Sequence, residues 1–255
     1  MQLKSPLRDL DLMKAKDIIV NFIERNSDKG YVMGLSGGLD SSVTLALAKE
    51  AVGDKVKVLI MPDPEVTPEE DVEDALLYVK NLGVEYKIID ISPIVKAYSE
   101  LLPYDTLALG NLRARIRMSL LYYYANLEGR KVLGAGDKSE ILIGYFTKYG
   151  DGGVDLLPIG CLYKTELRVL APFIGVPEKI AKKKSSPRLW KEHLAEEELG
   201  LSYDVIDKIL VEIFEKGKKV DEVKKELKLS WEVDRVWEMH VNSAHKRATP
   251  PIPKL

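Results

Sequence analysis

Residues 31–42 read Tyr31-Val32-Met33-Gly34-Leu35-Ser36-Gly37-Gly38-Leu39-Asp40-Ser41-Ser42. The apolar run 31–35 is a strand that ends in a glycine-rich turn, and residues 41–48 continue as a helix. The same alternation extends outward. Before the turn, residues 11–26 place Leu12, Ala15, Ile18, Ile19, Phe22 and Ile23 at helical spacing, an amphipathic entry helix. After it, residues 55–61 predict a second strand and 67–81 a helix with Pro68 near its first turn. Residues 84–91 predict a third strand, 107–127 a long helix and 131–134 a fourth strand. Strands separated by helices of this length form a parallel sheet covered on both faces, a doubly wound α/β fold. Ligands bind such sheets beyond the carboxyl ends of the strands, where the glycine-rich turns fall.

Beyond about residue 160 the strand signal stops. Residues 164–174, 177–183, 203–214, 220–227 and 231–245 read as helices with charged faces. The run 179–184 (KIAKKK) reads as a solvated face, and the tail 249–255 (TPPIPKL) as extended chain. With no repeat and no low-complexity linker, the expectation is a single domain over 1–255. Its α/β nucleotide-binding core covers about 1–160 and its helical C-terminal part about 161–255.

At 255 residues and 45% hydrophobic content the chain can bury a large core. Lys+Arg 38 against Asp+Glu 40 leaves no global basic field, which argues against nucleic acid as a partner. One cysteine, Cys161, excludes an internal disulfide and a multi-cysteine metal site. The first residues (MQLKSPLRDLDLMK) lack the apolar centre of a signal peptide, and no run of 18 apolar residues occurs. A cytoplasmic protein with no membrane partner is expected.

The turn 34–41 carries specific chemistry. Its paired glycines let the backbone approach a ligand and take positive φ. Successive N–H groups and a helix N-terminus then make an anion site, to which Ser36, Ser41 and Ser42 add hydroxyl donors. No lysine follows, so this is not a GxxxxGK[ST] loop. A lysine-free turn with an aspartate able to hold Mg²⁺, Asp40, suits chemistry in which pyrophosphate leaves. A bare SGG would read equally well as a capped βα turn; the full SGGLDSS after an apolar strand is more specific. It resembles the SGGxDS pyrophosphate loop of the N-type ATP pyrophosphatases, which include NAD, GMP and asparagine synthetases and several tRNA-modifying adenylases. That resemblance implies an adenine nucleotide alpha hydrolase-like fold and adenylation by ATP, and leaves the substrate open.

Residues 144–155 (GYFTKYGDGGVD) narrow it. Gly150, Gly152 and Gly153 forbid regular structure, so a mobile loop is expected, with Lys148, Asp155 and three aromatics suited to covering a polar, ring-containing substrate. The segment closely resembles the FFTKYGDGG loop of the NAD synthetases. Residues 110–118 (GNLRARIRM) resemble that family's GNxxARxRM helix, and 244–247 (AHKR) its terminal HKR. Four motifs in the family's order, over almost the whole chain, identify it as similar to the short, ammonia-dependent NAD synthetases.

The resemblance implies formation of an NAD-adenylate from nicotinic acid adenine dinucleotide (deamido-NAD) and ATP, then displacement of AMP by ammonia, the last step of NAD biosynthesis. It implies ATP contacts from Gly34, Leu35, Ser36, Gly37, Gly38, Leu39, Asp40, Ser41, Ala135, Lys164 and Ser186, with Asp40 and Lys164 as catalytic groups. Asp40 and Glu140 would hold Mg²⁺. Arg115, Lys148, Asp155, His245 and Lys246 would bind deamido-NAD. Taken alone, Glu140 reads as a helix first-turn acid, Arg115 and Lys164 as surface residues, and His245 as a cation at a helix C-terminus.

Two departures stand out. Where the family often has Thr after the strand-four glycine, this chain has Ala135, which offers only its backbone. The family's arginine after the second strand has no equivalent in 61–65 (MPDPE), so backbone groups are expected to hold adenine. Rival readings are another adenylase of the superfamily, or a non-catalytic nucleotide sensor; the latter would lack Asp40 or Glu140. Cys161 sits in the apolar PIGCL and reads as a packing residue, so free ammonia is expected. A separate glutaminase is neither implied nor ruled out. The aromatic run at Leu120–Tyr124 (LLYYY) exceeds what one helix face buries, and the resemblance implies a homodimer with the dinucleotide site near the subunit interface.

Overall fold

The computed structural model describes residues 2–253, so Lys254 and Leu255 of the expected extended tail lie outside the described residues. In chain order the first part holds α1 (Leu12–Arg25), β1 (Tyr31–Gly34), α2 (Leu39–Val52), β2 (Val56–Ile60) and α3 (Glu69–Asn81). There follow β3 (Glu85–Ile88), α4 (Ser92–Ser99), α5 (Thr106–Glu128), β4 (Lys131–Leu133) and α6 (Lys138–Ile143). The second part is helical: α7 (Lys164–Leu170), α8 (Glu178–Ala181), α9 (Ala195–Leu199), α10 (Tyr203–Leu210), α11 (Val220–Leu227) and α12 (Ser230–Asn242). A π-helical turn, Val211–Glu215, prolongs α10.

The four strands form one parallel sheet in the order β3-β2-β1-β4, with Tyr31 opposite both Val56 and Lys131. Alternate residues serve opposite faces. Met33, Val58 and Ile60 pack with α1, α2 and α3, while Val32, Leu59 and Val132 pack with α4 and α5. A third cluster joins Ile143 and Tyr163 to Tyr203, Ile206, Leu210, Val233 and Val236 of the C-terminal helices. Each fully buried Val or Leu contributes about 1.5–3 kcal/mol.

The sequence-predicted strands and long helices are present; the strands and α1 are trimmed at their ends, while α2 and α5 run longer than expected. α4 was not anticipated. Pro93 suggests a break but stands in the first turn of the helix, where its fixed φ is favourable, and Asp90 Oδ1 accepts from Ser92 N (2.8 Å). Beyond the sheet proper, Leu156 bridges in parallel to Leu133, so the chain returns beside β4 after residues 145–153.

Side-chain caps start the two helices that flank β4, α5 and α6. Asp105 Oδ1 accepts from Ala108 N (2.7 Å) to start α5. Asp137 Oδ1 accepts from Glu140 N (2.8 Å) to start α6, which Gly144 ends in the left-handed conformation (φ 70°). A Cβ at Gly144 would stand 2.0 Å from the Ser243 side chain, so α12 packs there only because the side chain is missing.

Candidate active site

The turn after β1 sits at the carboxyl edge of the sheet, and its form follows from its glycines. Gly37 has φ +77°, and a Cβ there would meet the Asp71 carbonyl oxygen at 2.2 Å. Gly38 caps α2 without any side-chain hydrogen bond, so the amides of the first turn face outward unclaimed by a cap. Ser36 and Ser41 brace the turn internally: their hydroxyls are 3.0 Å apart, Ser41 Oγ accepts from Ser36 N (3.2 Å) and Ser36 Oγ accepts from Gly38 N (3.3 Å).

Behind the turn lies a tight cluster of charge. Lys164, in the first turn of α7, is wholly buried. Its Nζ is 2.7 Å from Asp40 Oδ2, 2.8 Å from Asp137 Oδ2 and 2.8 Å from Glu140 Oε1, under the ring of Tyr203. Burial alone would push the ammonium down, but the three carboxylates outweigh it and hold it well above the usual lysine range. Burial raises Glu140 well above the carboxylate range; Lys164 opposes this, and Asp137 and Asp40 add to it. Asp137 is likewise raised, first by burial, with Lys164 opposing and Asp40 adding.

One ammonium does not balance three acids. Ligand oxygens of Asp40, Asp137 and Glu140 lie within 4.8 Å of one another. Asp40 Oδ1 is buried with no hydrogen-bond partner, and Asp137 Oδ2 has only the ion pair with Lys164. An all-oxygen donor set with an orphaned anionic oxygen and excess negative charge fits a hard divalent cation such as Mg²⁺.

Lys164, which alone could be a surface residue, is therefore central. α7 is held from outside by the N-terminal segment: Arg8 grips the buried Glu166 carboxylate through Nε (2.8 Å) and Nη2 (2.9 Å), and Ser5 Oγ donates to it (2.7 Å). Asp137 was not singled out in the sequence. The signal was present, since Asp-x-x-Glu before an apolar run is a capping box, and the cap residue of a helix at a strand's carboxyl end faces the site. Ala135, between Gly134 and Asp137 on the same strand end, presents no side-chain donor, as its identity dictates.

Ser186 stands apart from the phosphate turn in its bonding: its hydroxyl donates to the His193 carbonyl and accepts from Arg188 N (3.3 Å). The neighbours of Ser186 do reach the turn. Lys183 Nζ donates to Gly37 O (3.2 Å) and Asp71 Oδ1 (2.8 Å), and Arg188 Nε donates to Asp71 Oδ2 (2.8 Å). The 179–184 run is thus only partly a solvated face; Lys179 and Lys183 are committed to Asp74 and Asp71 of α3.

Four of the five dinucleotide candidates assemble at the far end of α6. Lys148 Nζ donates to His245 O (2.8 Å), Arg115 Nε to Lys148 O (3.3 Å), and Lys246 Nζ to Gly144 O (2.8 Å) and Phe146 O (2.7 Å). Asp155 is held separately, accepting from Val132 N (2.7 Å) and from Tyr122 Oη (3.1 Å), two helical turns along α5 from Arg115. The 145–153 segment is irregular, as its glycines require, but it is stitched rather than loose. Asp151 Oδ1 accepts from Thr147 N (2.8 Å), and Thr147 Oγ1 donates to Asn111 Oδ1 on α5 (2.7 Å). Beside it is a cleft of about 330 Å³ lined by Gly144, Tyr145, Glu198, Met239, Asn242 and Lys246. The acid cluster does not line this cleft; α6, six residues or about 9 Å long, separates the two.

The segment after β2 has no arginine of its own. Arg117, from α5, donates to Met61 O through Nε (2.9 Å), and burial pushes its guanidinium down to about 10. A cation therefore does stand at that strand end, supplied by a helix.

The parallel order, the switch between β1 and β4, and the glycine-paired turn above buried acids define an adenine nucleotide alpha hydrolase-like protein. Comparison with known proteins goes further. The family model for NAD synthase matches residues 12–250, and the chain belongs to that family. The NH(3)-dependent NAD(+) synthetase of Hyperthermus butylicus is 56% identical over 242 residues, covering 93% of this chain and 88% of that protein. Among solved structures, NMN synthetase from Francisella tularensis superposes with a TM-score of 0.84 at 32% identity, covering 97% and 100% of the two chains. NH3-dependent NAD synthetase from Campylobacter jejuni gives 0.82 at 34%, covering 96% and 100%.

Proposed function

We infer that the chain catalyses the ATP-dependent amidation of deamido-NAD to NAD with ammonia, releasing AMP and pyrophosphate. The observation that carries this reading is the meeting of Lys164 with Asp40, Asp137 and Glu140 behind the glycine-paired turn, in a chain of the NAD synthase family. A carboxylate is a poor acyl donor because its leaving group would be oxide, and adenylation replaces oxide with AMP. The amides and hydroxyls of residues 34–41 hold the ATP phosphates. Lys164, pinned by its carboxylates, faces the charge that builds on pentacovalent phosphorus, and most of the rate gain is positioning and charge neutralisation. Asp40 and Glu140, joined by Asp137, would hold Mg²⁺, which when bound supplies positive charge against the phosphates.

Arg115, Lys148, His245 and Lys246 would bind deamido-NAD at the other end of α6, with Asp155 beyond them. Ala135 and Ser186 belong to the ATP side by the resemblance of their segments, Ser186 after reorienting its hydroxyl. The chain is read as one domain, with a nucleotide-binding core of about 1–160 and a helical part of about 161–255. It acts as a homodimer in the cytoplasm, as the family resemblance implies. Among the described residues no helix is long and apolar enough to cross a membrane.

The test is incubation of the purified protein with ATP, Mg²⁺ and deamido-NAD, with ammonium or glutamine, measuring NAD, AMP and pyrophosphate. NAD formed with ammonium alone is expected. The likeness to the Francisella NMN synthetase favours a second arm with nicotinic acid mononucleotide. The curated relatives at 44–56% identity support the dinucleotide, and a clear preference for the mononucleotide would overturn that choice.

A further inference from the structure

Asp207, on α10, is a fully buried carboxylate about forty residues downstream of Lys164, and its side chain takes its hydrogen bonds from α6 and α7, the helices that carry Glu140 and Lys164. Its Oδ1 accepts from Ser139 Oγ (2.5 Å), and its Oδ2 accepts from Thr165 N (2.9 Å) and Thr165 Oγ1 (2.8 Å). Ser139 Oγ in turn accepts from Lys164 N (2.9 Å). The four residues close a ring: Asp207 to Ser139, Ser139 to Lys164, Lys164 through the chain to Thr165, and Thr165 back to Asp207.

Both partners occupy the second position of their helices, Ser139 in α6 and Thr165 in α7. A carboxylate between two helix N-termini is favoured by both dipoles, which offsets the cost of burying it without a paired cation. The ring also fixes where two functional side chains start. Ser139 precedes Glu140, and Thr165 follows Lys164, so the backbone that carries each is tied to the same carboxylate.

We propose that Asp207 is a positioning residue for the amidation: it sets the first turns of α6 and α7 in one register, so that the Lys164 ammonium reaches Asp40, Asp137 and Glu140. This rests on the reading of Lys164 as a group that acts on ATP. Asp207 touches none of the four cluster side chains through its hydrogen bonds; it acts through Ser139 and Thr165. Loss of such an outer support lowers activity by about 10–100-fold while the fold stands.

The test uses the full chain with Asp207→Asn, Asp207→Leu and, as control, Lys164→Met. Rates are measured at about pH 8.5, where the carboxyl is ionised, alongside backbone amide exchange at Lys164 and Thr165 in ligand-free protein. Asp207→Asn keeps an acceptor for Thr165 N but loses the second anionic oxygen. It should lower kcat about tenfold with KM for deamido-NAD unchanged, and speed exchange at Lys164. Asp207→Leu should lower kcat about a hundredfold and speed exchange at both amides; should it fail to fold, Asp207→Asn carries the test. A structural role alone would lower the melting temperature and leave the kcat of folded protein unchanged. Wild-type kcat in Asp207→Asn beside an inactive Lys164→Met overturns the positioning. Wild-type turnover in Lys164→Met overturns the reading beneath it, and the proposal with it.

Discussion

Gly37 and Asp40, three residues apart, show how much a single position can decide. Gly37 holds positive φ against the backbone of Asp71, so any side chain must either strain the turn or push α3 away. The left-handed conformation costs about 1–2 kcal/mol for an L-residue before the 2.2 Å clash is counted. Gly37→Ala should therefore lower the melting temperature and raise KM for ATP together, read by thermal denaturation and initial rates. Asp40 contributes an unpartnered buried oxygen to the cluster, and Asp40→Ala should cut release of AMP and pyrophosphate by about a hundredfold or more. Lys148 lies at the other end of α6. Lys148→Ala should raise KM for deamido-NAD more than KM for ATP, and an equal rise in both would remove it from the dinucleotide site. At this scale the sequence was most legible where chemistry demanded unusual residues, as in the glycine pair and Asp40. It was least legible where an ordinary local role hid a second one. Asp137 looks like a helix cap because it is one; only the convergence of α6 and α7 makes its other oxygen part of the cluster.

Among the elements, α6 and α10 carry the most consequence for their length. Burial, opposed by the hydrogen bonds from Ser139 and Thr165, pushes the Asp207 carboxyl of α10 up to about 7. The folded protein thus holds this proton more tightly than the unfolded chain, where an aspartate titrates near 3.9. Between those values only the folded state is protonated, so raising the pH costs it stability, and above about 7 the loss is complete. Measured against Asp207→Asn, whose amide does not titrate, the wild type should lose stability from about pH 4 to about pH 7 and then level off. Urea denaturation of both proteins across that range checks it, and parallel curves would refute it. Elements with a clear period were readable in advance. α4 was not: it is only eight residues long, and its proline, which stands in the first turn, gives no clear helical period. The return of the chain beside β4 at Leu156 was invisible too, since a one-residue bridge leaves no pattern in sequence.

At the scale of the whole molecule, the apolar surface left uncovered is uneven. α1 exposes Ile18 (68%) and Phe22, and α5 exposes Leu107, Tyr123 (64%) and Leu127. The α4–α5 connection adds Leu101 (82%) and Tyr104. Scattered exposed leucines need no explanation, but this many on one long helix and its approach suit an interface between copies. Sedimentation should report a dimer, and a Tyr123→Glu/Leu127→Glu variant should shift the protein toward monomer. A monomer at every concentration would leave the dinucleotide site within a single chain. The sequence indicated this surplus through the run at 120–124, yet Leu120, Leu121, Tyr122 and Tyr124 are partly buried and pack inward. Only the fold distinguishes which of those residues stay outside.

The helix α6 is closed by residues that the ribosome adds much later. His240 Nδ1 reaches Leu142 O (2.7 Å), Arg247 Nη1 reaches Leu142 O (3.0 Å), and Lys246 reaches Gly144 O, across sequence gaps of 98, 105 and 102 residues. At translation speeds of about 5–20 residues per second, the nascent chain carries the finished β-strands for roughly 5–20 s before those side chains emerge. Throughout that interval the carbonyls at the end of α6 lie bare, while the other end of α6 is braced once Asp207 has been added. Completion of α6 is thereby tied to translation through α12, and a chain that stalls after α10 would carry the phosphate turn and its acid cluster without the closed end of α6.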